Sequence, residues 1–155
     1  MDAEELANFA DEVGLSYEEL GFPRIWGRVL GWLLVSQPDF QSADDLAMAL
    51  HASRGSISMA TQALLRSGMV ERQTVRGDRR TFYRIRPGAW TTVFEEQART
   101  ATKLRELAER GLELLNSAPG EDRLRLEELH DLTAFYEKQA PALLAHWHEH
   151  RQRTS

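Results

Sequence analysis

The 155-residue sequence predicts a mainly α-helical fold of the α+β class, with helices on both sides of one β-hairpin. Apolar residues recur at helical spacing along most of the chain, and the period changes to that of strands only in residues 69–75 and 81–85. The charge is equally uneven. Although the net charge is −5, residues 54–86 carry eight arginines against two acids. One basic island therefore lies in an acidic, helical protein.

The composition excludes several classes of function. Without cysteine the chain has no disulfide, thiolate zinc site or cysteine nucleophile. The N-terminus is acidic where a secretory signal would be basic, and the apolar stretch 29–35 is far shorter than the roughly 20 residues that cross a bilayer. We therefore expect a cytoplasmic protein with no membrane partner and no cofactor. No nucleophile–base arrangement or phosphate loop is evident, so we expect no enzyme.

Residues 1–20 predict a short amphipathic helix that stops at Gly14 and needs a partner surface to be stable. A second, largely buried helix should begin near Pro23, because proline suits the first turn, and end at Gln37-Pro38. The predicted domains are this N-terminal helix, a central domain over residues 21–87 and a helical region over residues 88–155.

The central domain has the pattern of a winged helix-turn-helix. Ser42 and Asp45 approximate a capping box for a short helix, and Ser53 can cap a second helix that ends at Ser67-Gly68. Its inward side would be Ile57, Ala60 or Thr61, and Leu64. A hairpin with the basic tip 76–80 follows.

Two long helices follow Pro87-Gly88. The first carries an apolar stripe of nearly heptad spacing, namely Trp90, Phe94, Ala101, Leu104, Ala108 and Leu115. The second should start near Glu121 and be kinked or interrupted at Pro141. We expect it to bury Leu124, Leu129, Leu132, Tyr136, Leu143 and Trp147.

This arrangement lets one helix enter the major groove of duplex DNA while the hairpin reaches phosphates or the minor groove. The residue types agree, because outward arginine and glutamine read base edges and small residues allow close approach of the backbone. The candidate DNA-binding residues are Ser53, Arg54, Gly55, Ser56, Ser58, Met59, Gln62 and Arg66 on the helix, and Arg76, Arg79 and Arg80 on the hairpin.

The central chain resembles the MarR-type winged-helix regulators, and within them a GbsR-like branch. The resemblance is carried by residues 21–28, by the segment from Leu46-Ala47 to residues 53–58, by 64–70 and by 77–80. It implies a homodimer paired through its terminal helices, a double-stranded, pseudo-palindromic DNA operator, and repression that a small-molecule effector relieves.

Three alternatives stay open. Aromatic residues could line an effector pocket, even a cage for a quaternary ammonium, or simply fill the core; these are Trp26, Trp32, Trp90 and Phe94. A histidine cluster near the C-terminus could bind a metal, although a helix dipole alone favours histidine there; it comprises His146, His148 and His150. The chain could also be a winged-helix protein-interaction module without DNA binding.

Overall fold

A computed structural model describes residues 2–154, which form six α-helices and three short strands in two compact units that divide after Ala89. The mainly helical α+β class and the winged helix are confirmed. In chain order the elements are α1 (Ala3–Glu19), α2 (Arg24–Val35), β1 (Gln41–Ser42), α3 (Ala43–Ala49), α4 (Arg54–Arg66), β2 (Val70–Gln73), β3 (Phe82–Ile85), α5 (Ala89–Leu114) and α6 (Gly120–Thr154).

Helix α1 packs closely on α2 within the first unit, and its predicted stop at Gly14 is wrong. Gly14 is buried inside α1. A Cβ atom built on Gly27 would lie 2.5 Å from the Val13 carbonyl oxygen and 2.8 Å from the Gly14 Cα, and one built on Gly31 would lie 2.9 Å from the Ala10 Cα. The glycines therefore permit a close helix crossing, and this packing outweighs the low helix propensity of Gly14.

The helix-turn-helix forms as its caps predict. Ser42 accepts a hydrogen bond from the Asp45 amide at 3.2 Å and the Asp45 carboxylate accepts one from the Ser42 amide at 3.0 Å, which confirms the capping box. Ser53 caps α4, which ends at Ser67 with Gly68 at φ 72°. The predicted inward side of α4 is confirmed, since its four residues are all buried: Ile57, Ala60, Thr61 and Leu64.

The sheet has three antiparallel strands in the order β1-β3-β2. Glu71 pairs with Arg84 across the hairpin, and Ser42 pairs with Phe82 on the other side of β3. Both hairpin strands are shorter than predicted, because residues 74–81 form the connection between them. Strand β1 was not predicted, since two residues are too few to display a period.

The second unit consists of α5 and α6, whose buried residues are small: Ala101, Ala108, Thr133 and Ala140. Polar contacts join the two helices where Arg105 Nε donates to Glu137 at 2.7 Å and Thr102 donates to Glu137 at 3.0 Å. The predicted interruption at Pro141 is wrong, because α6 continues through it. Pro141 cannot donate to the carbonyl four residues earlier and its ring crowds that carbonyl, yet the helix continues past it at this exposed position.

Much of the apolar stripe predicted to be buried is exposed in the single chain. Leu124, Leu132, Leu143 and Trp147 of α6 are all exposed, as are Trp90, Phe94 and Leu104 of α5. Small residues and Leu126, which packs against Gly111, occupy the contact between the helices, so these exposed side chains lie outside it. No helix within residues 2–154 is both long and apolar enough to cross a membrane.

Candidate nucleic-acid interface

Helix α4 presents a continuous polar side beside its buried one. Arg54, Gly55, Ser58, Gln62 and Arg66 are exposed, Met59 is 64 % exposed, and Ser56 is half-buried. Ser58, Gln62 and Arg66 recur every four residues and so follow one another along the helix. Gln62 leans toward Ser58, with 3.4 Å between its amide nitrogen and the hydroxyl. The outward residues predicted on this helix thus share one accessible surface.

The start of α4 combines a cap with two available amides. Ser53 Oγ accepts a hydrogen bond from the Ser56 amide at 3.1 Å and lies 2.8 Å from the Ser56 hydroxyl. Within residues 2–154 the amides of Arg54 and Gly55 have no acceptor, as is usual in the first turn of a helix. These two N–H groups and the positive end of the helix dipole can receive a phosphate oxygen.

The wing turns at Gly77, which has φ 87°, a conformation that glycine adopts without strain. The Asp78 amide donates to the Val75 carbonyl at 3.1 Å and closes the turn. Arg76 and Arg79 flank this turn and are exposed. The basic tip predicted for the hairpin therefore lies at its most accessible point.

Arg80 is held by carboxylates, although its side chain is 52 % exposed. Its guanidinium donates to Asp78 at 2.8 and 3.0 Å, lies 3.7 Å from Asp45 of α3 and stacks 5.0 Å from the centre of the Phe82 ring. The hydrogen bonds from Arg80 lower the pKa of Asp78, and those to Asp78 raise the pKa of Arg80. The hydrogen bond from Ser42, more than Arg80, lowers the pKa of Asp45. This side chain therefore joins the wing to α3.

The arginines of the basic island divide into two groups. Arg54 pairs with Asp44 at 2.9 Å, Arg80 with Asp78, and Arg84 with Glu71 at 2.6 Å across the hairpin. In the part of the chain that the structure describes, the other five have no carboxylate within 4.0 Å: Arg66, Arg72, Arg76, Arg79 and Arg86. These five carry the uncompensated positive charge of the island.

Sequence reasoning missed Arg24, which lies beside the start of α4. Arg24, His51, Ser53 and Ser56 line one cleft of about 600 Å³ at this helix end. Arg28 lies in the same cleft but pairs with Asp11 and donates to the Leu50 carbonyl at 2.8 Å, so it holds α1 and α3 together. Arg24 lies in a segment of nearly balanced charge, and only the packing of α2 brings it near α4.

The four aromatic residues predicted for an effector pocket occur in both units. Trp26 stacks on Phe22 with 5.9 Å between ring centres, and Trp32 donates to Gln41 at 3.4 Å. These two tryptophans of α2 therefore have different neighbours. Trp90 and Phe94 lie in the first turns of α5 and are about half exposed.

The three C-terminal histidines lie along α6, where the Trp147 ring stacks on His150 at 6.1 Å. Among residues 2–154 no three histidine, aspartate or glutamate side chains converge closely enough to hold a metal ion.

The comparisons with known proteins agree with this architecture. Residues 20–81 match the model of the MarR family, and residues 88–150 match that of the MmpR5-like MarR family transcriptional regulators. The chain is 41 % identical over 133 residues to the HTH-type transcriptional regulator MmpR5 of Mycobacterium tuberculosis, covering 86 % of this chain and 81 % of that protein. A crystal structure described as a transcriptional regulator matches with a TM-score of 0.83 and 39 % identity, covering 94 % of this chain and 99 % of the other.

The branch-level match is to the MmpR5-like regulators, so the GbsR-like placement is not confirmed. The similarity to MmpR5 extends over both units, from the winged helix into the C-terminal helices. The chain belongs to the MarR family of winged-helix, DNA-binding transcriptional regulators.

Proposed function

We propose that the protein is a homodimeric, sequence-specific repressor that holds a pseudo-palindromic operator with α4 and the wing, and that a small-molecule effector releases it. The observation that carries this proposal is the joint exposure of the polar side of α4 and the arginine-rich turn of the wing. The proposal assigns no catalytic step to the chain.

Sequence reading is assigned to the exposed side of α4. Arg54 and Gln62 have the donors that match guanine and adenine edges in the major groove. Arg54 reaches the groove by exchanging Asp44 for a base or phosphate. Both side chains of that ion pair are more than half exposed, so the exchange costs at most about 1 kcal/mol. The Arg54 and Gly55 amides then fix the register on the backbone.

The wing is assigned to phosphates and to the minor groove. In the described part of the chain Arg76 and Arg79 have no carboxylate within 4.0 Å, whereas Asp78 orients Arg80. A narrow minor groove has an enhanced negative potential, which favours arginine there.

The dimer is assigned to the exposed apolar residues of the terminal helices. Leu132 and Phe135 of α6 are 65 % and 63 % exposed, and Phe9 and Leu15 of α1 are also accessible. Large exposed apolar side chains in each unit are candidates for burial against a partner, and we assign that partner to a second copy of the chain. Two-fold pairing would set the recognition helices about 34 Å apart, one turn of DNA.

The test is selection of DNA ligands by the full-length protein from a random duplex library, followed by fluorescence anisotropy on the enriched sequences. We expect inverted repeats with half-sites about one helical turn apart, and binding that weakens steeply with salt. Enrichment of a single half-site would contradict the dimeric arrangement. Failure to bind any duplex at low salt would instead favour a protein-interaction module.

A further inference from the structure

A cleft of about 980 Å³ opens in the first unit between α1, the end of α2, α3 and the wing. Its apolar walls include Trp32, Phe40, Met48 and Phe82. Sites for small molecules have similar volumes and a similar apolar lining with a few polar groups. The cleft contains Trp32 but none of the other aromatic residues that sequence reasoning grouped into an effector pocket.

The charges around the cleft are predominantly negative. Four carboxylates and two arginines line it: Glu4, Asp11, Asp45, Asp78, Arg28 and Arg80. Each arginine already has a carboxylate partner within the cleft, so the lining retains an excess of two carboxylates. The hydrogen bond from Ser42 lowers the pKa of Asp45, which keeps this group charged at neutral pH.

We propose that this cleft binds a small organic cation with an apolar or aromatic body, and that the bound cation lowers the affinity of the protein for DNA. The carboxylate excess attracts the charge, while the faces of Trp32 and Phe40 accept the body and add cation–π attraction. An anionic molecule of the same shape meets the same apolar walls, but the excess of carboxylates repels it.

The link to DNA runs through Arg80. Its guanidinium is 3.7 Å from Asp45 and 5.0 Å from the centre of the Phe82 ring, so it occupies the edge of the same cleft. A ligand cation near Asp45 competes with Arg80 for the same carboxylate and ring. Displacing Arg80 removes the contact that joins the wing to α3. Because coupling between two sites is reciprocal, bound DNA must lower the affinity for the cation by the same factor. The effect of the cation on DNA binding rests on the proposed function, whereas the cation site itself does not.

The experiment uses two probes of equal shape and opposite charge, tetraphenylphosphonium and tetraphenylborate. Calorimetric titration of the full-length protein measures their affinities. We expect the phosphonium to bind and the borate to bind at least about tenfold more weakly. The double variant Glu4→Gln/Asp45→Asn should weaken phosphonium binding about three- to tenfold.

Glu5→Gln is the matched control, since Glu5 neighbours Glu4 on α1 but does not line the cleft. It should leave phosphonium binding unchanged. Because Asp45 also caps α3, Glu4→Gln alone is measured as well, and it should weaken binding by a smaller factor in the same direction. Equal affinity for the two probes, or full phosphonium affinity in the double variant, would overturn the cation site.

A separate titration of labelled operator duplex distinguishes this inference from the proposed function. Phosphonium at a concentration near its wild-type Kd should weaken duplex binding by the wild-type protein, and should weaken duplex binding by the double variant clearly less. Tight duplex binding without any phosphonium binding refutes the cation site alone. Phosphonium binding without any duplex binding refutes the proposed function and leaves the cation site standing. Phosphonium binding with unchanged duplex affinity refutes the coupling through Arg80.

Discussion

The wing arginines give the sharpest quantitative prediction. Arg76 and Arg79 are exposed and have no carboxylate partner in the described part of the chain, so changing both to alanine removes four positive charges from a dimer. The logarithm of the binding constant falls with the logarithm of salt by about 0.9 per phosphate contact, so loss of four contacts lowers the slope by about 3.6. Over a threefold rise in salt, wild-type affinity should therefore fall about 50-fold more than that of the variant.

The assay is fluorescence anisotropy with one operator duplex and one random duplex, from about 50 to about 150 mM salt. Both duplexes should lose affinity, because phosphate contacts carry no sequence information. Arg99→Ala is the control, since it removes an exposed arginine of α5 that pairs with Glu96. If the double wing variant keeps the wild-type slope, or changes it no more than the control does, the wing does not clamp DNA.

Three further predictions concern stability and assembly. In urea titrations, Gly27→Ala should destabilise the first unit by about 3 kcal/mol, because its Cβ meets backbone atoms at 2.5 and 2.8 Å. The control Gly55→Ala should stabilise it by up to about 1 kcal/mol, because its Cβ meets only a hydroxyl at 3.9 Å. Leu132→Asp should convert the dimer to a monomer, so that the mass measured by light scattering falls from twice 17.7 kDa to 17.7 kDa. Gln139→Asp, at another exposed position of α6, should leave the mass unchanged. Ser42→Ala should cost about 1 kcal/mol at neutral pH. Because the pKa of Asp45 is lowered in the folded state, mainly by the Ser42 hydroxyl, this cost should shrink as denaturation is measured at progressively lower pH.

The features that could be predicted from the sequence are those encoded locally. The Ser42–Asp45 box, the Ser53 cap and the glycine after Ser67 are each specified within a few neighbouring residues, so α3 and α4 follow directly. The turn at Gly77 is predictable for the same reason, because positive φ favours glycine. The exposed polar side of α4 then follows from the helical period alone.

The features that escaped prediction depend on partners distant in the chain. The sequence predicts a helix stop at Gly14, because it does not reveal that Gly27 of α2 packs against Gly14 inside the helix. The exposure of Leu132 could not be predicted either, because apolar residues at helical spacing do not reveal whether the surface that covers them belongs to the same chain. The position of Arg24 beside α4 likewise depends on how α2 packs.

The acids that open α3 connect stability with recognition. Asp44 and Asp45 lie at the positive end of the helix dipole, and Asp45 completes the capping box. Asp44 pairs with Arg54 of α4, and Asp45 lies 3.7 Å from Arg80 of the wing. Exposed ion pairs of this kind contribute at most about 1 kcal/mol, whereas a phosphate contact also gains from the release of condensed counterions. The Asp44 ion pair is therefore strong enough to orient Arg54 in the free protein and too weak to retain it against a phosphate.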